Sequence, residues 1–200
     1  MILASLKPYY YYLIGEKKKN IEVRKSALKN LPQDIVFYMS KDEKSFAKIP
    51  KEFQEKYRKH FGKVGIRAVV DKIGKMKMTI DDFGNLILLS SIAKWNFNHC
   101  LSNDELDSYL GNKTGYGWHL DNVVVYDKPK KLSEFYRPCS YSGICYSCNR
   151  FRPNGTPNDE PNDFCDGEIT RPPQSYMFVE KLKFENLKRQ VKAKGLEVNL

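Results

Sequence analysis

No apolar run in this chain approaches the roughly 18 residues that a membrane-spanning helix requires. Its first residues do not read as a leader either. In MILASLKP the apolar stretch is cut off by Lys7 and Pro8, and the charges follow it instead of preceding it. Cysteine is scarce and odd in number, five in 200 residues. That count suits a reduced, cytoplasmic setting with free thiols or metal ligands better than a secreted disulfide framework. These shortages argue against a membrane protein, a secreted toxin and a fibrous repeat. What is present suffices for a core: 41% of residues are hydrophobic and 13% aromatic, which excludes a disordered chain and fits one domain with a small appendage.

Charge is abundant and uneven. The chain carries a formal +10, and residues 41–77 alone hold twelve basic against five acidic side chains. Residues 1–25 and 181–200 are basic as well, whereas 151–170 set Arg152 against Asp159, Glu160, Asp163, Asp166 and Glu168. A basic body attracts polyanions, although such charge also serves plain solubility.

Local patterns predict mainly short strands. MILASL reads as a strand, Pro8 as the first turn of a helix through Ile14, and Gly15 as its C-cap. Residues 20–25 alternate, with Ile21 and Val23 on one side and Glu22 and Arg24 on the other, as in a strand with one polar face. Residues 34–40 and 64–73 are further strands, 41–62 are helix-like, and 79–98 read as mixed helix and loop. Ser102 and Glu105 have capping-box spacing, which predicts a helix ending at Gly111. A strand then runs from Trp118 to a stop at Pro129, and another spans 175–182. Few long helices and five or six short strands indicate an α+β fold, a small mixed β-barrel with short flanking helices. Its barrel comprises 1–136 with 171–182, interrupted by a Cys-rich insertion at 137–170 and followed by a basic tail helix at 183–200.

That insertion holds the clearest chemical pattern: Cys139-x₅-Cys145-x₂-Cys148-x₁₆-Cys165. Two thiolates with two residues between them form a metal knuckle, and a second pair completes a tetrahedral, structural zinc site. Cys100, beside His99, stands apart from this group and reads as buried or incidental. Tyr9 to Tyr12 point around a whole helical circumference, so most of them read as core, with room for one hydroxyl facing a cleft.

Four motifs in order carry a resemblance. Gly15-Glu16-Lys17 leads into Ile21-Glu22-Val23-Arg24, Gly62-Lys63-Val64-Gly65 opens a strand ending Asp71-Lys72-Ile73, Gly117-Trp118-His119 runs into Val124 to Pro129, and Arg171-Pro172-Pro173-Gln174-Ser175 precedes an aromatic strand. Together they resemble the ASCH domain family, whose signature is a Gly-x-Lys step followed by Glu-x-Arg on the next strand. The resemblance implies a PUA-like β-barrel that binds RNA or a modified nucleoside in a basic cleft. The ligand-binding candidates it implies are Lys17, Lys19, Asn20, Glu22, Arg24, Arg67, Tyr116, Trp118 and His119. Arg24 would grip phosphate, and Tyr116 and Trp118 would stack on bases. One branch of the family hydrolyses 4-acetylcytidine with a Lys, a Thr and a Glu, and another member is a ribonuclease, so Lys19 and Glu22 are the catalytic candidates for an enzyme. Lys17, Lys18 and Lys19 can each occupy the lysine position. Alignment from Glu22 favours Lys19 and leaves Asn20 where the hydrolase branch has Thr. The third reading is a protein-interaction module of a phage or its host that docks a partner through the zinc loop, as a monomer or small homo-oligomer.

Overall fold

The computed structural model describes residues 1–91, 98–136 and 169–181. The cysteines Cys139, Cys145, Cys148 and Cys165, most of the expected insertion and the expected tail helix lie outside these residues.

Strand β1 (Ile2–Leu6) ends at Lys7, and helix α1 (Pro8–Gly15) starts with proline in its first turn, where the missing N–H costs no hydrogen bond. Tyr11, Tyr12, Leu13 and Ile14 of α1 are buried, while Tyr9 and Tyr10 stay half-buried. Gly15 is not the left-handed cap that its type suggests. It is helical, and the positive φ falls two residues later, at Lys17 with φ 57°. Glycine is needed at this point because a Cβ would lie 2.2 Å from the Tyr57 hydroxyl.

Next come β2 (Ile21–Arg24), β3 (Gln33–Met39), α2 (Glu43–Phe46) and α3 (Lys51–Arg58). Asp42 caps α2 by accepting the Ser45 N–H. Strand β4 (Val64–Ile80) is far longer than the sequence reading of 64–73. It folds back on β5 (Leu86–Ser90) in a hairpin, with Met76 opposite Ser90 and Ile80 opposite Leu86. The mixed helix and loop expected from residue 79 is therefore a strand pair as far as Ser90. Asp81 closes its turn by accepting the N–H groups of Phe83 and Asn85, and Gly84 supplies φ +82°.

Helix α4 (Asn103–Leu110) has the expected capping box between Ser102 and Glu105 and ends at Gly111, φ 59°. Strand β6 (Gly115–Lys130) begins earlier than expected and runs through Pro129. Pro129 is tolerated because the β4–β6 ladder is irregular there: Val64 pairs with Lys130, whereas Ile66 already pairs with Val125. A 3₁₀ turn (Leu132–Glu134) leads to β7 (Phe135–Tyr136). The strand expected at 175–182 is split into β8 (Tyr176–Phe178) and β9 (Glu180–Lys181).

The main sheet has the order β2-β6-β4-β3-β1-β8, with β5 on the far part of β4, while β7 and β9 form a separate pair. Among the described strands β1 and β3 run parallel and the other pairs antiparallel, so the sheet is mixed. It curls into a half-barrel. The guanidinium of Arg24, on β2 at one end, donates to the carbonyls of Ser5 in β1 and Ser175 before β8 at the other end, at 2.9 and 3.1 Å. Ile2, Ala4, Ile35, Phe37, Ile66, Ala68, Val70, Trp118 and Leu120 line the interior, which α1 covers. On the outer face, Ile21, Val23, Met76 and Met78 pack under Leu106 and Leu110 of α4. Gly115 permits that contact, since a Cβ would lie 2.4 Å from the Leu110 side chain.

Candidate functional site

Strand β2 is the root of the site. All four of its residues are buried, so the polar face bearing Glu22 and Arg24, expected to line a cleft, points into the half-barrel. The register explains this: Glu22 lies opposite Trp118 and Arg24 opposite Tyr116, and directly paired residues share a face. Glu22 is 7% exposed and sits between two cations, with Oε1 3.0 Å from Arg24 Nη2 and Oε2 3.4 Å from Lys19 Nζ. Two buried cations thus flank one buried anion, a net charge of one that burial makes costly unless every donor finds an acceptor.

Most of the donors do. Lys19, 2% exposed, donates to the carbonyls of Ile21 at 2.6 Å and His99 at 2.7 Å. Burial lowers its pKa, and the nearby Glu22 carboxylate only partly opposes this. Arg24 spends its two terminal nitrogens on Glu22, Ser5 and Ser175, so it joins strands and does not offer a free bidentate grip for phosphate. Among the described residues its buried Nε has no hydrogen-bond partner.

Two tyrosines overlook this chain of charges. The Tyr10 ring lies 5.7 Å from Lys19 Nζ, and its hydroxyl donates to Glu105 Oε1 at 3.1 Å. Burial, followed by the Glu105 charge, pushes the Tyr10 pKa up to about 12. Tyr109, one helical turn beyond Glu105, feels both Glu22 and Arg24, and burial raises its pKa. Lys25 Nζ lies 5.1 Å from the Tyr109 ring centre. Cys100 belongs to the same neighbourhood: its thiol donates to the Lys18 carbonyl at 3.3 Å and to Asn98 Oδ1 at 3.2 Å, and Lys19 acts on its charge. It is therefore not incidental, although burial raises its pKa and keeps it a thiol.

The remaining sequence candidates divide. Of the three lysines, Lys19 faces the interior. Lys17 is exposed, and Lys18 donates to the Tyr12 hydroxyl at 2.8 Å. Asn20 is occupied structurally: its Oδ1 accepts the Asn98 N–H at 2.6 Å, which clamps the 98–100 segment to the start of β2. Tyr116 is half-buried across from Arg24. Trp118 is fully buried, with its indole N–H on the Ser26 carbonyl at 3.1 Å and Tyr176 edge-on at 5.1 Å. Its place is in the core, where no base can reach its face. His119, the next residue on the strand, points to the opposite face, where its Nδ1 meets Asp71. Arg67 is also on the outer face of the sheet, exposed and paired with Asp34 at 2.8 Å, away from Glu22. The residues that the sequence reading missed are Tyr109 and Glu105. The signal for both was the capping box, because positions 105 and 109 of a helix share a face. Among the described residues no cluster of His, Cys, Asp or Glu is placed to hold a metal, and no helix is long and apolar enough to cross a membrane.

No protein-family model matches the chain, and no curated protein matches it. Among solved structures it is similar to an ASCH protein from Zymomonas mobilis, at 16% identity over 96% of this chain and 93% of that one, with a TM-score of 0.45. Two mutants of the Zymomonas mobilis protein, a tyrosine-to-phenylalanine and a serine-to-alanine form, match at 15% identity and the same score, each over 94% of this chain and over 96% and 94% of their own. Likeness at this level assigns no activity and no residue role.

Proposed function

We propose that the protein binds a nucleoside, free or within single-stranded RNA, at the rim of the half-barrel beside Lys19, Glu22 and Arg24. The observation that carries this is the buried Lys19–Glu22–Arg24 chain with Tyr10 and Tyr109 beside it. Because Arg24 is committed to backbone carbonyls, the site favours a planar polar ring over a bare phosphate. Tyrosine faces supply stacking and the polar rim supplies hydrogen bonds. The surplus of basic residues adds phosphate attraction that carries no sequence information. Titration calorimetry with the four ribonucleosides and a modified set tests this on wild type, Tyr109→Ala and Glu22→Gln. Binding that both substitutions weaken at least tenfold supports the reading, and equal affinity in all three proteins refutes it.

One observation favours a second reading, hydrolysis of an acylated nucleoside. Lys19, whose pKa burial lowers and whose Nζ lies 3.4 Å from the Glu22 carboxylate, would in its neutral form be the general base toward water. Water would add to the acyl carbon, the C–N bond would break, and the proton would pass to the leaving amine. Asn20 brings no hydroxyl to this chemistry, and its side-chain oxygen already accepts the Asn98 N–H. Release of acetate from an acetylated cytidine, lost in Lys19→Met, is the test. The zinc and protein-docking readings rest on the spacing of Cys139, Cys145, Cys148 and Cys165. Zinc content per chain, measured before and after substitution of Cys145 and Cys148, checks the metal.

A further inference from the structure

We infer that the β4–β5 hairpin is a nucleic-acid arm: it extends the rim into a track for the phosphates of a single strand. This rests on the nucleoside reading of the rim and adds a surface to it. The register carries the argument. Arg24 is opposite Tyr116, and Tyr116 is opposite Lys75, so the face that bears Glu22 and Arg24 continues across β6 onto β4. Two residues on, the same face presents Lys77 opposite Leu89, and then Thr79 opposite Ile87. Lys75 and Lys77 are exposed and stand about 7 Å apart, the repeat of one strand face.

The other face of the hairpin is not free. Met76 and Met78 are buried with Leu106 and Leu110 of α4, which holds the arm against the body. At the tip, Asp81 is consumed by the turn, and Phe83 is left 89% exposed beside Ile80 at 68%. The paired positions from Lys75 to Ile87 contain no acid, so this face is cationic and apolar from rim to turn. A polyanion whose planar bases stack while its phosphates meet lysines has the matching chemistry.

The test is fluorescence anisotropy with labelled oligouridylates, one short and one long enough to run from rim to tip, across a salt series. In the Lys75→Gln/Lys77→Gln double variant, affinity for the long oligomer should fall about tenfold at low salt, and its salt slope should flatten by about 1.4, two phosphate contacts on a single strand. Free nucleoside binding, which reports on the rim, should not change, and Lys128→Gln on the far part of β6 should behave as wild type. An unchanged slope overturns the inference. So does a double variant that weakens free nucleoside and long oligomer equally, or Lys75- and Lys77-dependent binding to phosphatidylserine vesicles without any oligonucleotide binding. If the long oligomer binds through Lys75 and Lys77 while no free nucleoside binds, the arm stands and the nucleoside reading of the rim fails.

Discussion

Replacing Glu22 with glutamine keeps the volume of the side chain and removes the anion that lies between two buried cations. Glu22 is 7% exposed and lies 3.0 Å from Arg24 and 3.4 Å from Lys19. Breaking a buried ion pair from one side costs about 3–5 kcal/mol. Both cations keep carbonyl acceptors at Ile21, His99, Ser5 and Ser175, so the loss should fall near the lower figure. For a chain of this size, about 3 kcal/mol corresponds to a melting temperature lower by about 6–12 °C. A second readout follows from Lys19, whose pKa is already below its ordinary value of 10.5 through burial, with Glu22 pulling the other way. Without Glu22 it falls further. A lysine with a folded pKa below its unfolded one binds fewer protons when folded, so its unfavourable contribution is full below the folded pKa and fades as pH climbs toward 10.5. The gap between calorimetric melts of wild type and Glu22→Gln should therefore narrow as pH rises toward 10.5, leaving the part that belongs to Arg24. A variant that melts within about 1 °C of wild type at neutral pH, or a gap that stays constant with pH, would refute the coupling.

Three further perturbations probe the frame around the site. Gly15→Ala places a methyl group against the Tyr57 hydroxyl, which donates to Glu16 at 2.7 Å, and should cost about 1–3 kcal/mol in urea melts. Adding Tyr57→Phe should recover part of that loss, and an identical penalty with and without the hydroxyl contradicts the contact. His60 is fully buried, with Nδ1 3.0 Å from the Tyr11 hydroxyl, and burial lowers its pKa to about 4. It is neutral in the fold and gains a proton on unfolding, so stability should fall as pH drops from 6.5 toward 4. His60→Gln should flatten that limb of a stability–pH curve, and two parallel curves would exclude His60 as its source. Arg24→Lys removes the planar fork that reaches Ser5 and Ser175 together, at a cost of about 2 kcal/mol. Hydrogen exchange should then speed up at the amides of β8, and unchanged protection there would show that the seam closes without Arg24.

The elements that were legible in the sequence are those whose cause is local. Pro8 started α1, and Ser102 with Glu105 started α4, because a proline ring and a capping box act within one turn. The far half of β4 was written just as plainly, in the Lys75-Met76-Lys77-Met78 alternation ahead of an Asp81–Gly84 turn, but the apolar Leu86–Leu89 run masked the hairpin as a possible helix. At the site, the period of two correctly joined Glu22 to Arg24. Their direction was not local information. How deeply an acid and a base two residues apart are buried depends on groups distant in sequence: Ser5 and Ser175 bring carbonyls to Arg24, and His99 brings one to the neighbouring Lys19. Strand parity alone, however, forbade placing both Trp118 and His119 in one cleft, since adjacent residues of a strand point to opposite faces. The same parity turned Arg67 outward, between the inward-facing Ile66 and Ala68. What ties the site to the fold is therefore Arg24. The residue that best matched a ligand-binding motif is the one that closes the sheet, so removing it should disturb the rim and the seam together, while Tyr109 and Lys75 can be changed with the seam intact.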